Sequence, residues 1–204
     1  MKVFTRALGP VQANCYVVVG NGHALIIDPG DAFDEVEQLL KENNAVLDAV
    51  LLTHAHFDHI GGLDRLIEKF DVDVYMNEKE FDFLKDMHLN GSAYFQVHIQ
   101  SHAQPKAVVE GKQRIGNFEV SAKTLPGHSA GSTVFQIGDD LFTGDVLFQG
   151  SIGRTDLPSG SYAQMMESIA YLKTLPHDLK VYPGHGPATT IGAERQNNPF
   201  LRQV

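Results

Sequence analysis

The chain has 204 residues, 43% of them hydrophobic and 20% charged, and a formal net charge of −9. This length predicts one domain, residues 1–204, with enough apolar material for a sizeable core. The acidity argues against a nucleic-acid partner and against an anionic membrane surface, both of which select clustered Lys and Arg.

Asn14 to Gly20 reads as a strand, Asn21-Gly22 as a type I′ hairpin turn, and Ala24 to Ile27 as the strand that pairs back. Cys15, the one cysteine, lies in the first of these and is expected in the core; alone, it excludes an internal disulfide and any Cys-x-x-Cys motif. Asp34 to Asn43 has apolar residues at 36, 39 and 40, as a surface helix does, and the acidic run Asp31 to Glu37 suits its N-terminus. Val46 to Leu52 is a buried strand. Leu63, Leu66, Ile67 and Phe70 follow the spacing of an amphipathic helix opened by Gly61-Gly62. Val72 to Met76 is a strand and Glu78 to His88 a helix. Residues 89 to 105 lack periodicity; with His88, His98 and His102, the stretch reads as a surface loop or subunit contact rather than a flap. Phe118 to Leu125, Thr133 to Ile137 and Leu141 to Thr143 are strands. Tyr162 to Lys173 is a helix with Met165, Met166, Ile169 and Leu172 inward. Val181-Tyr182 is a last strand and Ile191 to Gln196 a last helix. His23 and His177 are expected to face solvent.

Hairpins at the start and strand–helix units after them predict packed sheets covered by helices. No apolar run is long enough to cross a bilayer, and the first fifteen residues lack the apolar stretch of a signal peptide. A cytoplasmic protein without a membrane partner is expected. The chain also echoes itself: Leu51-Leu52-Thr53-His54 resembles the run from Leu141 to Asp145, and Pro126-Gly127-His128 resembles Pro183-Gly184-His185. In each case a His or Asp follows the end of an apolar strand, where a rigid scaffold can hold it.

Residues 53 to 62, Thr-His-Ala-His-Phe-Asp-His-Ile-Gly-Gly, carry the strongest chemical signal. His54, His56, Asp58 and His59 are four metal-ligand types within six positions. Neutral imidazole suits borderline cations, and carboxylate adds charge and a harder oxygen donor. If the strand continued, His54 and His56 would share a face. Asp58 and His59 would then point apart, which favours two neighbouring ions over one. His128 and His185 sit on glycine-containing turns, and Asp145 follows Gly144 at a strand end.

The T-H-x-H-x-D-H-x-G-G loop, Gly127-His128-Ser129, Gly144-Asp145 and Gly184-His185-Gly186 together resemble the metallo-β-lactamase superfamily, from the Ile27-Asp28-Pro29-Gly30 turn to residue 187. The resemblance implies an α/β (α+β) fold, a four-layer αββα sandwich with a two-metal site at one edge of the sheets. One ion would take His54, His56 and His128, the other Asp58, His59 and His185, and Asp145 would bridge them. Zinc is the first expectation, with iron or manganese as alternatives. Two ions about 3.5–4 Å apart can share a hydroxide nucleophile; Asp58 would orient it, making Asp58 the catalytic residue as well as a ligand.

The segment from Thr143 to Pro158, with Gly153-Arg154-Thr155-Asp156, is similar to the glyoxalase II (hydroxyacylglutathione hydrolase) group and to the persulfide dioxygenases. The tail, Ile191 to Arg195 with Asn198-Pro199-Phe200, is similar to short bacterial glyoxalase-II-like hydrolases. This implies a small-molecule thioester substrate such as S-lactoylglutathione. Arg154 and Asp156 are expected as an ion pair behind the ligands or in a structural role, and Asp28 as a hydrogen-bonding brace for the metal loop. Glyoxalase II carries a C-terminal helical extension that contacts glutathione, whereas only one short helix is expected here, which leaves the thiol open. The alternatives are a lactonase and an iron persulfide dioxygenase using His54, His128 and Asp145.

Overall fold

The computed structural model describes residues 1–204. Six strands form the first sheet: β1 (Lys2–Leu8), β2 (Ala13–Gly20), β3 (His23–Ile27), β4 (Val46–Leu51), β5 (Asp73–Met76) and β6 (Lys106–Ala107), adjacent in that order. The second sheet is built from β7 (Gly111–Ile115), β8 (Phe118–Thr124), β9 (Thr133–Ile137) and β10 (Asp140–Gly144), followed by β13 (Lys180–Pro183) and β14 (Thr189–Thr190). Between them in sequence, β11 (Leu147–Phe148) and β12 (Ser151–Ile152) make a separate small hairpin. The helices are α1 (Phe33–Glu42), α2 (Phe57–Ile60), α3 (Leu63–Phe70), α4 (Tyr162–Thr174) and α5 (Ile191–Asn197).

The layering follows from two-residue alternation. Along β2, Cys15, Val17 and Val19 join a core with Val36, Leu39 and Leu40 of α1 and Leu63 and Leu66 of α3. Tyr16 and Val18, the residues between, meet Phe135 and Phe142 of the other sheet. On β9 and β10, Phe135 and Phe142 face inward, while Val134 and Leu141 pack outward on Met165, Ile169 and Leu172 of α4. A strand covered on both faces must be apolar throughout, which is why β2 and β3 read as unbroken hydrophobic runs. The result is the αββα sandwich. Phe142 is fully buried between the sheets; truncation to Ala costs about 3–5 kcal/mol.

This architecture positions the site. β3 and β4 are parallel, as are β10 and β13. Asp28 follows β3, the His loop follows β4, Asp145 follows β10 and His185 follows β13, so these residues leave their strands at C-terminal ends. Backbone bonds tie the strand ends there, two of them, from Asn14 and from Thr133, between the sheets and one within the second sheet. Asn14 N donates to Gly184 O at 2.7 Å, Gly184 N to Gly144 O at 2.8 Å, and Thr133 N to Thr53 O at 2.8 Å.

Several expectations are corrected. Glu78 to His88 is not a helix: a 3₁₀ segment runs from Glu78 to Leu84 and stops. The Asp86 carboxylate accepts from the N–H groups of His88 and Leu89, a local turn that competes with helical pairing. Met166 is only half-buried, and Ser168 takes its inward place, donating to Pro126 O at 2.6 Å. His23 does not simply face solvent, because its Nδ1 lies 2.7 Å from Asp48 Oδ1. Strands β1 and β7 were not expected. Both are partly exposed, and β7, Gly-Lys-Gln-Arg-Ile, has almost no apolar pattern to read.

Candidate metal centre

After β4 the chain leaves the sheet, and His54 and His56 turn their rings together, 4.8 Å between centroids. His128 arrives from the Pro126–Gly127 turn behind β8. Its Nε2 stands 2.7 Å from His56 Nδ1 and 3.2 Å from His54 Nε2. All three histidines are buried.

Asp58 and His59 do not continue a strand, contrary to the expectation that they diverge. They lie on the single turn α2, where neighbouring residues differ by about 100° rather than 180°. Both therefore reach one place: His59 Nε2 is 3.6 Å from Asp58 Oδ2, and His185 Nε2 is 3.1 Å from the same oxygen. Asp145 stands between the two groups, with Oδ2 3.5 Å from His128 Nε2 and 3.6 Å from His185 Nε2, and Oδ1 3.5 Å from His59 Nε2. The seven residues singled out from the sequence thus converge.

Glycines allow this approach. Gly62 packs on the Gly30 turn, where an added Cβ would meet the Gly30 carbonyl oxygen at 2.8 Å. Gly144 adopts φ of +50°, and a side chain there would collide with Thr53 Oγ1.

The surrounding bonds orient the rings. Asp28 Oδ2 accepts from Thr53 Oγ1 at 2.6 Å and from His59 Nδ1 at 3.0 Å, while Oδ1 accepts from Thr53 N at 2.8 Å. Thr53 spends its proton on Asp28, so at 3.0 Å it accepts from His54 Nδ1. His128 Nδ1 donates to Arg154 O at 2.9 Å, and His185 Nδ1 to Val11 O at 3.1 Å. Carbonyls and carboxylates only accept. In four histidines Nδ1 therefore carries a proton, and Nε2 is turned toward the cluster.

Arg154 and Asp156 form the ion pair expected of them. Their side chains form an exposed two-bond pair, 2.6 and 2.9 Å, and only the Arg154 main chain touches a cluster residue. Arg154 is also among the residues lining the groove above the site. Sequence reasoning missed Glu80. It is fully buried, accepts from Gly131 N at 2.8 Å and Ala55 N at 3.2 Å, and so joins the His54–His56 loop to the His128 loop. The available signal was a glutamate sharing a buried side with Phe83 and Leu84. Burial pushes its carboxyl above the ordinary range.

The electrostatics are divided. Burial, then neighbouring histidines, lowers His54 well below 6.5 and His56 to about 3. Burial acts the same way on His59, but Asp58, Asp28 and Asp145 outweigh it and raise this histidine. Burial would raise Asp58, yet His59 and His185 hold it below the usual carboxyl value.

Whether cations fit can be read from unsatisfied atoms. Four buried side-chain nitrogens and oxygens in the molecule have no hydrogen-bond partner, and three of them are His56 Nε2, His59 Nε2 and Asp145 Oδ1. His59 Nε2 and Asp145 Oδ1 stand 3.5 Å apart within the cluster, and leaving both unpaired there is costly unless a ligand completes them. His54–His56–His128 and Asp58–His59–His185 each bring one donor atom per residue within 4.8 Å of one another. Nitrogen and carboxylate donors so arranged suit divalent metals.

The sequence profile of the Metallo-beta-lactamase superfamily matches residues 8–185. The chain belongs to that superfamily. It is 43% identical to the probable metallo-hydrolase YqgX of Bacillus subtilis, across 98% of both chains. It is 34% identical to the hydroxyacylglutathione hydrolase GloC of Haemophilus influenzae, across 93% of both. Among solved structures, BLEG-1 B3 metallo-beta-lactamase superimposes with a TM-score of 0.94 at 41% identity, covering 98% of this chain and 99% of that one. TTHA1623 in a di-iron-bound form gives 0.88 at 38% identity, covering 98% and 100%. The superfamily resemblance and the αββα expectation therefore hold. No helix of this metallo-β-lactamase-superfamily chain is long and apolar enough to cross a membrane.

Above the cluster lies a groove of about 350 Å³. Phe57, Phe148, Leu157 and Phe95 supply its apolar walls, and Asp58, Asp145 and His185 its polar floor. The stretch 89–105, expected as a surface loop or contact, contributes Asn90 and Phe95 to this groove. Phe95 is anchored on Phe57, 5.0 Å between ring centroids.

Proposed function

We propose that this protein is a dinuclear metal-dependent hydrolase acting on acyl thioesters such as S-lactoylglutathione. The observation that carries the reading is the convergence of seven donor residues, with His59 Nε2 and Asp145 Oδ1 unsatisfied at its centre, beneath an open and largely apolar groove. The 34% identity to GloC over nearly the whole chain supports the thioester class. His54, His56 and His128 would hold one ion, Asp58, His59 and His185 the other, and Asp145 both. Zinc is proposed; iron is the alternative, supported by the di-iron form of TTHA1623.

Bound divalent ions would supply Lewis acidity and make a water molecule acidic enough to be deprotonated at neutral pH. The chain's own residues do the rest. Asp58, kept ionised by His59 and His185, accepts a proton from the attacking water. Asp28 fixes His59 in the tautomer that presents Nε2. Phe57, Phe95 and Phe148 exclude bulk water beside the reacting carbonyl, which strengthens every charge interaction there. A thiolate leaves without prior protonation, because thiol pKa values lie near 8.5; no general acid is needed.

The test is thiol release by purified, metal-loaded protein from S-lactoylglutathione and a panel of acyl thioesters, with a lactone and a β-lactam beside them because BLEG-1 carries the lactamase name. Thioester turnover that a chelator abolishes is expected. Turnover of the lactone or β-lactam alone would reject the thioester assignment. Oxygen uptake with glutathione persulfide would favour the iron dioxygenase instead.

A further inference from the structure

Beside the groove is a second, smaller cavity of about 120 Å³ that shares Val11, Phe57 and Asp58 with it. Leu8, Pro10 and Val11 from the β1–β2 turn form one wall. Phe57 forms another, and Val97 and Ile99 a third. Gly9, Gly30 and Gly61 complete the lining. Gly9 and Gly30 have φ of +73° and +47°, so the backbone itself disfavours side chains there.

We propose that this annex receives the hydrocarbon end of the substrate's acyl group. The inference rests on the thioester reading above and adds the acyl class. Three observations converge on it. The annex shares Val11, Phe57 and Asp58 with the groove, so it lies beside the point of attack, and one of the two substituents of a carbonyl at the cluster can be directed toward it. Its walls are apolar side chains and glycine, so burying hydrocarbon there is favourable. The only charged groups lining it are the carboxylates of Asp31 and Asp58, and these repel an acyl chain that ends in an anion. The occupant is therefore a neutral, apolar acyl chain. A cavity of about 150 Å³ accommodates a benzene ring; by that measure this one takes about four or five carbons.

Burying one methylene is worth about 0.8 kcal/mol, or a factor of about four. Along a series of thioesters of one thiol, from acetyl through butanoyl and hexanoyl to decanoyl, kcat/KM should climb about fourfold per carbon. The rise should end near the fifth carbon and reverse beyond it. Val97→Phe, which fills the annex, should lower the butanoyl-to-acetyl ratio at least tenfold. Leu8→Ala, which enlarges it, should move the optimum to a longer chain. Both readouts are ratios within one variant, so partial loss of folded protein cancels. A profile flat in chain length, or a butanoyl-to-acetyl ratio that neither variant moves, overturns the annex while thioester hydrolysis stands. A wild-type protein that hydrolyses no thioester overturns the activity reading instead. The annex is then decided by butanamide titrated into the protein while methyl signals are followed by NMR: saturable shifts at Leu8, Val97 and Ile99 support it, and unmoved methyls reject it.

Discussion

The two halves of the cluster are chemically unlike. His54, His56 and His128 are all imidazole, all within 3% of complete burial, and His54 and His56 are strongly disposed to stay neutral. Asp58, His59 and His185 mix carboxylate with imidazole that favours protonation, and the His185 side chain is 27% exposed. An enclosed trio in which His54 and His56 stay neutral is preorganised for a cation, and those two have no proton to expel. In the charged, open trio a cation must displace protons, and substrate and solvent can reach it. The first half therefore reads as an anchor, the second as the working side, with Asp145 coupling them.

Four experiments would break or sharpen that division. The largest effect belongs to Asp145, which faces both trios. Asp145→Ala should remove both ions and lower kcat/KM by far more than the 10–100-fold typical of a supporting residue. Elemental analysis beside kinetics checks this, and a variant retaining both ions would separate Asp145 from either half. Next, Asp58→Asn should lower kcat by about 10²–10⁴-fold, the range of a lost general base. The ion at the three-histidine trio should remain bound; its loss would show that the halves are not separable.

Asp28→Asn should weaken binding at the His59 side about 10–100-fold. Its effect on the other trio should be smaller, passing only through Thr53. Competition with a chromogenic chelator, resolving two affinities, reads this directly. Equal weakening at both would remove the distinction.

The smallest effect is one of pH on metal-free protein. Unfolded histidine titrates near 6.5, whereas folded His56 titrates near 3. Between those values the unfolded chain binds the extra proton, so the His56 contribution is lost as pH falls below 6.5. From pH 6.5 to 5 that is at most about 2 kcal/mol, or roughly 4–8 °C in Tm. His59 and His185 act in the opposite sense, because their folded values are raised. The His56 part is therefore isolated by comparing His56→Gln with the parent, whose Tm should fall more steeply over this range. Parallel curves would contradict the neutral character of the first trio.

What could be read in the sequence followed the strength of local patterning. The β2–β3 hairpin, β4, α3 and α4 announced themselves because each buries a regular apolar face. The ligand types were legible because His and Asp followed strand ends. Their convergence was legible only through the superfamily resemblance, since Asp58 and His59 meet through the turn of α2, and no run of residues states that β4, β8, β10 and β13 end at one edge. Glu80 escaped because its role is a pair of main-chain bonds to Ala55 and Gly131, 25 and 51 residues away. Phe95 escaped because its reason for being there is Phe57, across an aperiodic stretch. Arg154 was singled out for its side chain, yet it is the carbonyl, which any residue owns, that holds His128.

The central claim is that two cations sit side by side, one per trio. Anomalous diffraction from crystals of the metal-loaded protein, recorded on both sides of the metal's absorption edge, tests it most directly. Two peaks are predicted, one against His54, His56 and His128 and one against Asp58, His59 and His185, with Asp145 reaching both. A single peak held by His54, His128 and Asp145, with Asp58 and His185 free of metal, would contradict the account.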